Sequence, residues 1–451
     1  MIFRTLRELN WVTTHNKKSA YGTSTPLPLT HEGWGCFLPQ LIHNEFMKRN
    51  TLQDLFRDHY EEIQYTLHPR KTEMENIDKM INCGDPAYGG AMYGCPDCGT
   101  LKFVPFRCHS RFCPTCGAMY SQKRAQAMSF KLINCQHRHC VFTISKELRH
   151  YFLEDRDLLN CLFEATSSVI NRMFYKINKS QNFTPGYILV LHTFGRPLEW
   201  NPHIHCLISE GGVGDTGFWR KVKFFSYPYM RHAFQTALLN LMEDRITDPN
   251  KKALFKKEKA LSYKNQKEGF YVYGKPTLAD RRTVAKYIGR YLGRPVIGLS
   301  RIDSYDKEHD TVTFHYNRHE DEVLVTETIP SMEFIKRLIQ HIPEKDFKMI
   351  RYYGVYGRHR ESDKKLYRLI HPSKKPFFKS FLQWRSGILS AFGYDPLSCP
   401  KCNSTMKFLE LRFNHKRVSL EDLYEKTMGK CRPKSRAPST KIGIVPSYSC
   451  A

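Results

Sequence analysis

Hydrophobic residues recur at helical spacing in several stretches of the chain. In the first of them, Leu52, Leu55, Phe56 and Ile63 lie three, four or seven positions apart, the spacing of one helix face. A break is predicted near His68-Pro69, because the residue before a proline is biased away from helical geometry. Further helices are predicted over residues 118–133, 157–177, 229–243 and 331–341.

Other stretches are short, rich in β-branched and aromatic residues, and typical of strands. They are residues 140–144, 186–194, 203–209, 269–273, 311–316 and 322–326. Helices and strands are thus mixed along the chain without a repeat. The pattern predicts an α+β fold class.

The length and local composition predict several domains. A chain of 451 residues is too long for one ordinary core, and the region after residue 82 is dense in Cys, Gly and Pro, which suits a small metal-stapled module. We predict a helical N-terminal region 1–82, a zinc-binding module 83–133, a mixed domain 134–328, a C-terminal region 329–429 and a basic tail 430–451.

The charge of the chain favours a polyanionic partner. Lys and Arg number 70 against 44 Asp and Glu, which gives a formal charge of +26, so nucleic acid is the first expectation. The apolar runs are only a few residues long, and we expect no membrane span and no secretory signal. We therefore expect a cytoplasmic, DNA-associated protein whose 15 cysteines are mostly reduced.

Two cysteine pairs in the module predict a structural zinc site. Cys95-Pro-Asp-Cys98 and Cys113-Pro-Thr-Cys116 are each followed by glycine, so each can offer two thiolates from a tight turn. Four thiolates in two pairs are the pattern of structural zinc. We predict that Cys95, Cys98, Cys113 and Cys116 bind one zinc ion.

Other residues leave the ligand set open. Cys108, His109 or Cys83 could replace one of the four predicted ligands. A third pair, Cys399-Pro-Lys-Cys402, has the same form but no matching pair downstream, and no site is assigned to it from the sequence.

A His-x-His pair predicts a second kind of metal site. Alternation along residues 203–209 places His203 and His205 on one face of a strand and the apolar residues, such as Ile208, on the other. A hairpin centred between residues 197 and 198 would set His192 opposite His203, so His192 is the predicted third ligand. The alternatives for this third position are carboxylates: Glu199, Glu210 and Asp280.

Two tyrosines four residues apart predict a nucleophile pair. Residues 277–294 have helix entry and exit signals, and Tyr287 and Tyr291 would share one face of that helix. Taken alone, they could equally be half-buried core tyrosines. Three cations of the same segment could hold a phosphate backbone: Lys286, Arg290 and Arg294.

The histidines and tyrosines together indicate phosphoryl transfer. A phenol with a pKa near 10 is a poor nucleophile at neutral pH, so the phosphodiester must be activated by a cation. A divalent ion such as Mg²⁺ or Mn²⁺ held by imidazoles would supply this activation. A tyrosine that displaces a 3′-hydroxyl keeps a 5′-phosphotyrosine, which allows religation without ATP.

The combination resembles a known family. The segment from Asn201 to Gly212 with its His-x-His, the two-tyrosine helix, and the cysteine module ahead of 140–148 are similar to the rolling-circle insertion-sequence transposases of the HUH endonuclease superfamily, two-tyrosine type. The likeness covers roughly residues 50–360. It implies an α/β catalytic domain over 134–328, in which an antiparallel sheet carries the histidines and a helix presents the tyrosines.

The resemblance also implies roles for single residues. His203 and His205 match the family's metal-binding pair, Tyr287 and Tyr291 match its nucleophiles, and the cysteine module resembles its amino-terminal zinc-binding domain. His192 matches the three-histidine spacing of related conjugative relaxases. The implied partners are single-stranded or hairpin DNA at the ends of a mobile element, and target DNA.

Two alternatives share part of this pattern. A plasmid replication initiator or a conjugative relaxase would use the same chemistry in another process. A non-catalytic zinc-containing DNA-binding regulator would explain the charge and the cysteines, but it would leave the His-x-His pair and the paired tyrosines without a role.

Overall fold

The computed structural model describes residues 51–177, 183–214, 217–222, 224–274, 295–318, 321–357, 369–370, 372, 385–386, 388–389, 394–413 and 416–419. Its α-helices are α1 (Thr51–Asp58), α2 (Tyr60–Glu62), α3 (Lys71–Ile81), α4 (Pro114–Lys131), α5 (Arg149–Glu154), α6 (Leu159–Ile177), α7 (Tyr227–Arg245), α8 (Pro249–Asn265) and α9 (Ser331–Ile339). Among the described helices, none combines the length and apolarity needed to cross a membrane.

The strands form three sheets. They are β1 (Gly90–Gly94), β2 (Leu101–Pro105), β3 (His137–Phe142), β4 (Thr184–Phe194), β5 (Trp200–Val213), β6 (Trp219–Lys221), β7 (Val272–Gly274), β8 (Ile302–Asp306), β9 (Thr311–Asn317), β10 (Leu324–Pro330), β11 (Ile350–Gly354), β12 (Lys407–Phe413) and β13 (Lys416–Val418). Short π or 3₁₀ turns occupy Ile63–Leu67, Pro86–Tyr88, Lys146–Leu148, Arg156–Leu158 and Leu299–Arg301.

The largest sheet runs in the order β11-β4-β5-β3-β7, and β6 pairs with the far end of β5. All of its described pairings are antiparallel, so the predicted α+β class with an antiparallel sheet is confirmed. The hairpin between β4 and β5 closes through a 3.0 Å hydrogen bond from the Gly195 N–H to the Glu199 carbonyl. Strand β11 belongs to this sheet, beyond the predicted end of the catalytic domain at residue 328.

Different hydrophobic cores pack against the two faces of this sheet. On one face, Ile204 and Ile208 are buried in the main core together with residues of α6 and α7. On the other face, Leu207 packs in a smaller core with Met128 of α4 and Ile188 of β4. The predicted alternation along residues 203–209 is confirmed, and it places the histidines on the same face as Leu207.

The helical lead-in packs against a second sheet, ordered β10-β9-β8. Leu52 and Phe56 of α1 share a core with Phe314 of β9 and Phe334 of α9. The predicted break is confirmed, since the π turn ends at Leu67 and α3 begins at Lys71. The N-terminal helices are therefore stabilised by residues more than 200 positions away.

A third sheet joins the cysteine-rich module to the C-terminal region. Its order is β13-β12-β1-β2, and β12 pairs antiparallel with β1 from Gly90 opposite Arg412 to Gly94 opposite Lys407. Residues 394–413 and 416–418 are thus built onto the module, which the domain division from the sequence did not anticipate.

Most predicted elements occur within a few residues of their expected positions. The strand predicted at 269–273 begins three residues later than expected and occupies Val272–Gly274. Gly269 has a φ of +81°, and a Cβ at that position would meet the backbone of Arg231 at 2.4 Å. The chain therefore bends closely around α7 before it enters β7.

Candidate active site and metal centres

The β4–β5 hairpin brings three histidines together. His192 pairs directly with His203, as the predicted hairpin centre requires, and His205 lies two residues further along the same strand. Because alternate side chains share a face, all three imidazoles point to the same side of the sheet. Their candidate ligand atoms lie within 4.8 Å of one another.

Hydrogen bonds fix which nitrogen of each ring is available in β5. His203 Nδ1 lies 2.7 Å from the Asn201 carbonyl, so Nδ1 carries the proton and Nε2 keeps its lone pair. The Nε2 atoms of His203 and His205 are 3.0 Å apart. This separation equals the edge of about 3.0 Å in an octahedron whose ligands lie about 2.1 Å from the ion, so the set fits a divalent cation.

His139 supports this arrangement and was missed in the sequence analysis. It is buried on β3 opposite Leu207, and its Nε2 lies 3.0 Å from Nδ1 of His205. A proton on that Nδ1 leaves Nε2 of His205 with its lone pair facing His203. The signal was present in the chain as His137-Arg-His139, a second His-x-His just ahead of the strand predicted at 140–144.

Burial keeps two of these imidazoles neutral. Desolvation lowers the pKa of His203 to about 4. Desolvation, together with the neighbouring imidazoles, holds the pKa of His205 well below its ordinary value. Neutral imidazoles are the form that binds metal, so the site is ready for a cation at neutral pH.

The carboxylate alternatives lie elsewhere where the structure describes them. Glu210 is buried on the opposite face of β5, 2.9 Å from Nε of Arg138. Glu199 is in the hairpin turn, 3.7 Å from Arg149. Asp280 lies outside the described residues. Neither described carboxylate joins the histidines in a set that could hold a metal.

The predicted tyrosine helix lies outside the described residues. Tyr287 and Tyr291, with the predicted DNA contacts Lys286, Arg290 and Arg294, all fall within 275–294. The ends of this segment are described. Strand β7 ends at Gly274 beside β3, and a Cβ on Gly117 of α4 would lie 3.1 Å from Pro295.

The four cysteines predicted to share one zinc are divided between two clusters. Cys113 and Cys116 lie with Cys83 and Cys108, and the pair Cys95 and Cys98 lies with Cys399 and Cys402. The predicted ligand set is therefore corrected. A hairpin carries the first pair away from the second, and Cys83 and Cys108, named from the sequence as possible ligands, complete the set around Cys113.

The first cluster is built on the start of helix α4. Cys113 is the N-cap and Cys116 follows within the first turn. Cys116 Sγ lies 3.5 Å from that of Cys83 and 3.6 Å from that of Cys108. Thiol hydrogen bonds from Cys108 and Cys113 lower the pKa of Cys116 to about 7, which favours the thiolate that binds zinc.

Comparisons with known proteins give two family matches. Residues 186–363 match the family described as "Putative transposase", and residues 55–144 match the family described as "Transposase zinc-binding domain". The first range contains the three histidines, and the second contains all the cysteines from Cys83 to Cys116. No solved structure matches.

Two curated proteins are similar over most of their length. "Transposase for insertion sequence element IS801" of Pseudomonas savastanoi pv. phaseolicola is 29% identical over 353 residues, which cover 75% of this chain and 84% of that protein. "Putative transposase y4qJ" of Sinorhizobium fredii (strain NBRC 101917 / NGR234) is 28% identical over 326 residues, 68% of this chain and 81% of that protein. The chain therefore belongs to the rolling-circle insertion-sequence transposases of the HUH endonuclease superfamily, two-tyrosine type, and carries their zinc-binding domain.

Proposed function

We propose that this transposase is a metal-dependent tyrosine endonuclease and strand transferase. It acts on single-stranded or hairpin DNA at the ends of its mobile element and joins the cleaved strand to target DNA. The observation that carries the proposal is the set His192, His203 and His205, whose ligand atoms lie within 4.8 Å of one another on one hairpin.

The three histidines would hold Mg²⁺ or Mn²⁺, and His139 would orient His205 through their 3.0 Å contact. When bound, the ion withdraws charge from the non-bridging oxygens of the scissile phosphodiester. The neutral state of His203 and His205 means that no proton has to be displaced before binding.

The tyrosines perform the covalent step. The phenolic oxygen of Tyr287 or Tyr291 loses its proton and bonds to phosphorus, the P–O3′ bond breaks, and the 3′ oxygen leaves as a hydroxyl. The 5′-phosphotyrosine keeps the cleaved bond in activated form, so a second 3′-hydroxyl can displace the tyrosine without ATP. With two tyrosines, one end can be held while the other tyrosine attacks a second strand.

The ends of the tyrosine segment support its placement near the histidines. Across the sheet, Tyr273 of β7 pairs with Val141, and Val141 pairs with His205. The segment leaves the sheet one residue later, at Gly274, and the chain is described again at Pro295, beside α4. The last turns of helix α4 cover the histidine face through Met128. The first end of the segment therefore borders that face, and its second end lies at the start of the helix that covers it.

Two exposed tyrosines give this face a surface for unpaired bases. Tyr271 and Tyr273 are 55% and 41% exposed, and their rings stack with centroids 6.3 Å apart and 18° between planes. Cross-strand pairing puts Tyr273 on the same face as His205. Aromatic rings stack on bases of any sequence, so we assign these two residues to contacts with single-stranded DNA beside the scissile bond.

The structural zinc of the matched domain would be bound by Cys83, Cys108, Cys113 and Cys116. The cluster lies in the second core, where Cys113 and Cys116 pack with Phe112. Zinc there would fix the start of α4, whose other end covers the histidine face. Its role in the proposal is to position the helix and not to take part in chemistry.

A covalent-adduct assay tests the endonuclease. A labelled single strand from the element end, incubated with the protein and Mn²⁺, should give a protein–DNA adduct that resists denaturant. The Tyr287→Phe, Tyr291→Phe double variant should lose it, whereas a Tyr65→Phe control, at an exposed tyrosine, should keep it. An adduct from the double variant, or none from wild type on any end-derived strand, would show that the mechanism is wrong.

A further inference from the structure

We propose a second zinc site formed by Cys95, Cys98, Cys399 and Cys402, which fastens residues 394–413 to the β1–β2 hairpin. The matched zinc-binding domain ends at residue 144 and the matched transposase domain at 363, so two of the four ligands lie beyond both. The site is therefore an addition to the zinc of the matched domain.

The two cysteine pairs have the same backbone geometry. In each pair, the N–H of the first cysteine donates to the carbonyl five residues on, at 2.9 Å from Cys95 and 2.8 Å from Cys399. The residue after the second cysteine donates back to the first, at 3.1 Å and 3.0 Å. That residue has a left-handed φ in both pairs, +68° at Gly99 and +61° at Asn403. Two matching turns facing each other are the arrangement of a two-knuckle zinc site.

The sulfur positions fit a tetrahedral ion. Cys95 Sγ lies 3.4 Å from that of Cys402, and Cys98 Sγ lies 3.6 Å from that of Cys399 and 3.5 Å from that of Cys402. Sulfurs about 2.3 Å from a tetrahedral zinc are about 3.8 Å from each other. A disulfide would require about 2.05 Å, and all four cysteines are free. The observed spacing therefore matches shared metal ligation.

The apolar surroundings are too small to hold this region alone. The local core consists of Cys95, Cys399 and Met406, with Tyr93 and Cys98 packed against it. A core of this size does not offset the chain entropy of ordering some 20 residues, which is why small modules of this kind depend on metal. A zinc ion would supply the missing stability and would hold β12 in register beside β1.

The metal content of the full chain tests the proposal. Wild-type protein purified from zinc-supplemented medium should release two thiolate-bound zinc ions per chain when a mercurial reagent blocks its cysteines, a readout that leaves out any zinc held by the imidazoles. The Cys399→Ser, Cys402→Ser variant should release one, and a Cys135→Ser control, at a cysteine outside both clusters, should release two. One zinc in wild type, or two in the double serine variant, would overturn the proposal.

A thiol-protection measurement on wild type covers the case in which the variant does not fold. Cys402 is exposed, so without metal it should react readily with iodoacetamide. With zinc bound, its labelling should fall at least tenfold, as measured by peptide mass spectrometry, and a chelator should restore it. Rapid labelling of Cys402 in zinc-replete protein would contradict the site.

Discussion

The histidine site and the second cysteine cluster, formed by Cys95, Cys98, Cys399 and Cys402, differ in how far apart in the chain their members lie. His192 and His205 come from two strands of one hairpin and are separated by 13 positions, whereas Cys95 and Cys402 are 307 positions apart. The first site forms as soon as the hairpin forms. The second requires that the C-terminal segment return to the cysteine-rich module.

This difference has an energetic consequence. Closing a long loop costs more chain entropy than closing a hairpin, so the long-range cysteine contacts need a strong bond such as zinc–thiolate to hold them. The histidines are instead positioned by strand pairing that exists without metal. Loss of metal should therefore alter structure at the cysteines and chemistry at the histidines.

The largest expected effect follows from breaking the first cysteine cluster. Cys116→Ser should lower the main thermal transition by 10 °C or more, or leave the protein insoluble, because zinc–thiolate binding contributes on the order of 10 kcal/mol to a folded module. Cys402→Ser should shift that transition by only a few degrees, since its cluster adjoins a small core. Thermal unfolding followed by circular dichroism measures the shift in each variant. Equal shifts in Cys116→Ser and Cys402→Ser would show that the two clusters do not differ in their contribution to stability.

The next effect concerns activity without loss of fold. His203→Ala should reduce adduct formation by more than about 100-fold, because even partners outside the ligand shell of a metal site typically change affinity or activity by 10–100-fold. Its melting temperature should stay close to that of wild type. His309→Ala, at an imidazole with 77% side-chain exposure, is the control and should keep full activity. Normal activity in His203→Ala would exclude the histidine site.

The same contrast explains how much could be predicted from the sequence. The pairing of His192 with His203 was predictable because alternation and a turn centre are local properties of the chain. The zinc ligands were grouped wrongly because nearness in sequence favoured Cys95 with Cys113, whereas β12 pairs with β1 and brings Cys399 to Cys95. Strand pairing across more than 300 residues leaves no local pattern in the sequence. The sequence therefore could not show that Cys399 and Cys402 lie beside Cys95 and Cys98.

A smaller effect is expected for His139, which orients the metal ligand His205 but is not itself a predicted ligand. His139→Ala should weaken Mn²⁺ binding by about 10–100-fold, since it removes the contact to Nδ1 of His205, and His139→Gln should recover part of the loss by accepting the same hydrogen bond. His137 gives a matched control on the same strand, because its Nε2 contacts the Tyr356 hydroxyl at 2.6 Å instead. Calorimetric titration should show unchanged Mn²⁺ affinity in His137→Gln. If His137→Gln and His139→Gln lost affinity equally, the loss would reflect a general disturbance of the sheet and not the contact to His205.

The smallest effect is a pH dependence that should be weaker than ordinary histidines give. Protons compete with metal for imidazole, so binding weakens as the pH falls through the imidazole pKa. Two ligands with the ordinary pKa of about 6.5 would together weaken binding by about tenfold between pH 7.5 and 6. Burial lowers the pKa of His203 to about 4 and that of His205 well below 6.5, so both remain neutral at pH 6. A third imidazole of ordinary pKa would weaken binding by about fourfold over this range. Mn²⁺ affinity should therefore fall by less than about fivefold between pH 7.5 and 6, and a loss of more than tenfold by pH 6 would show that His203 and His205 are not held neutral by burial.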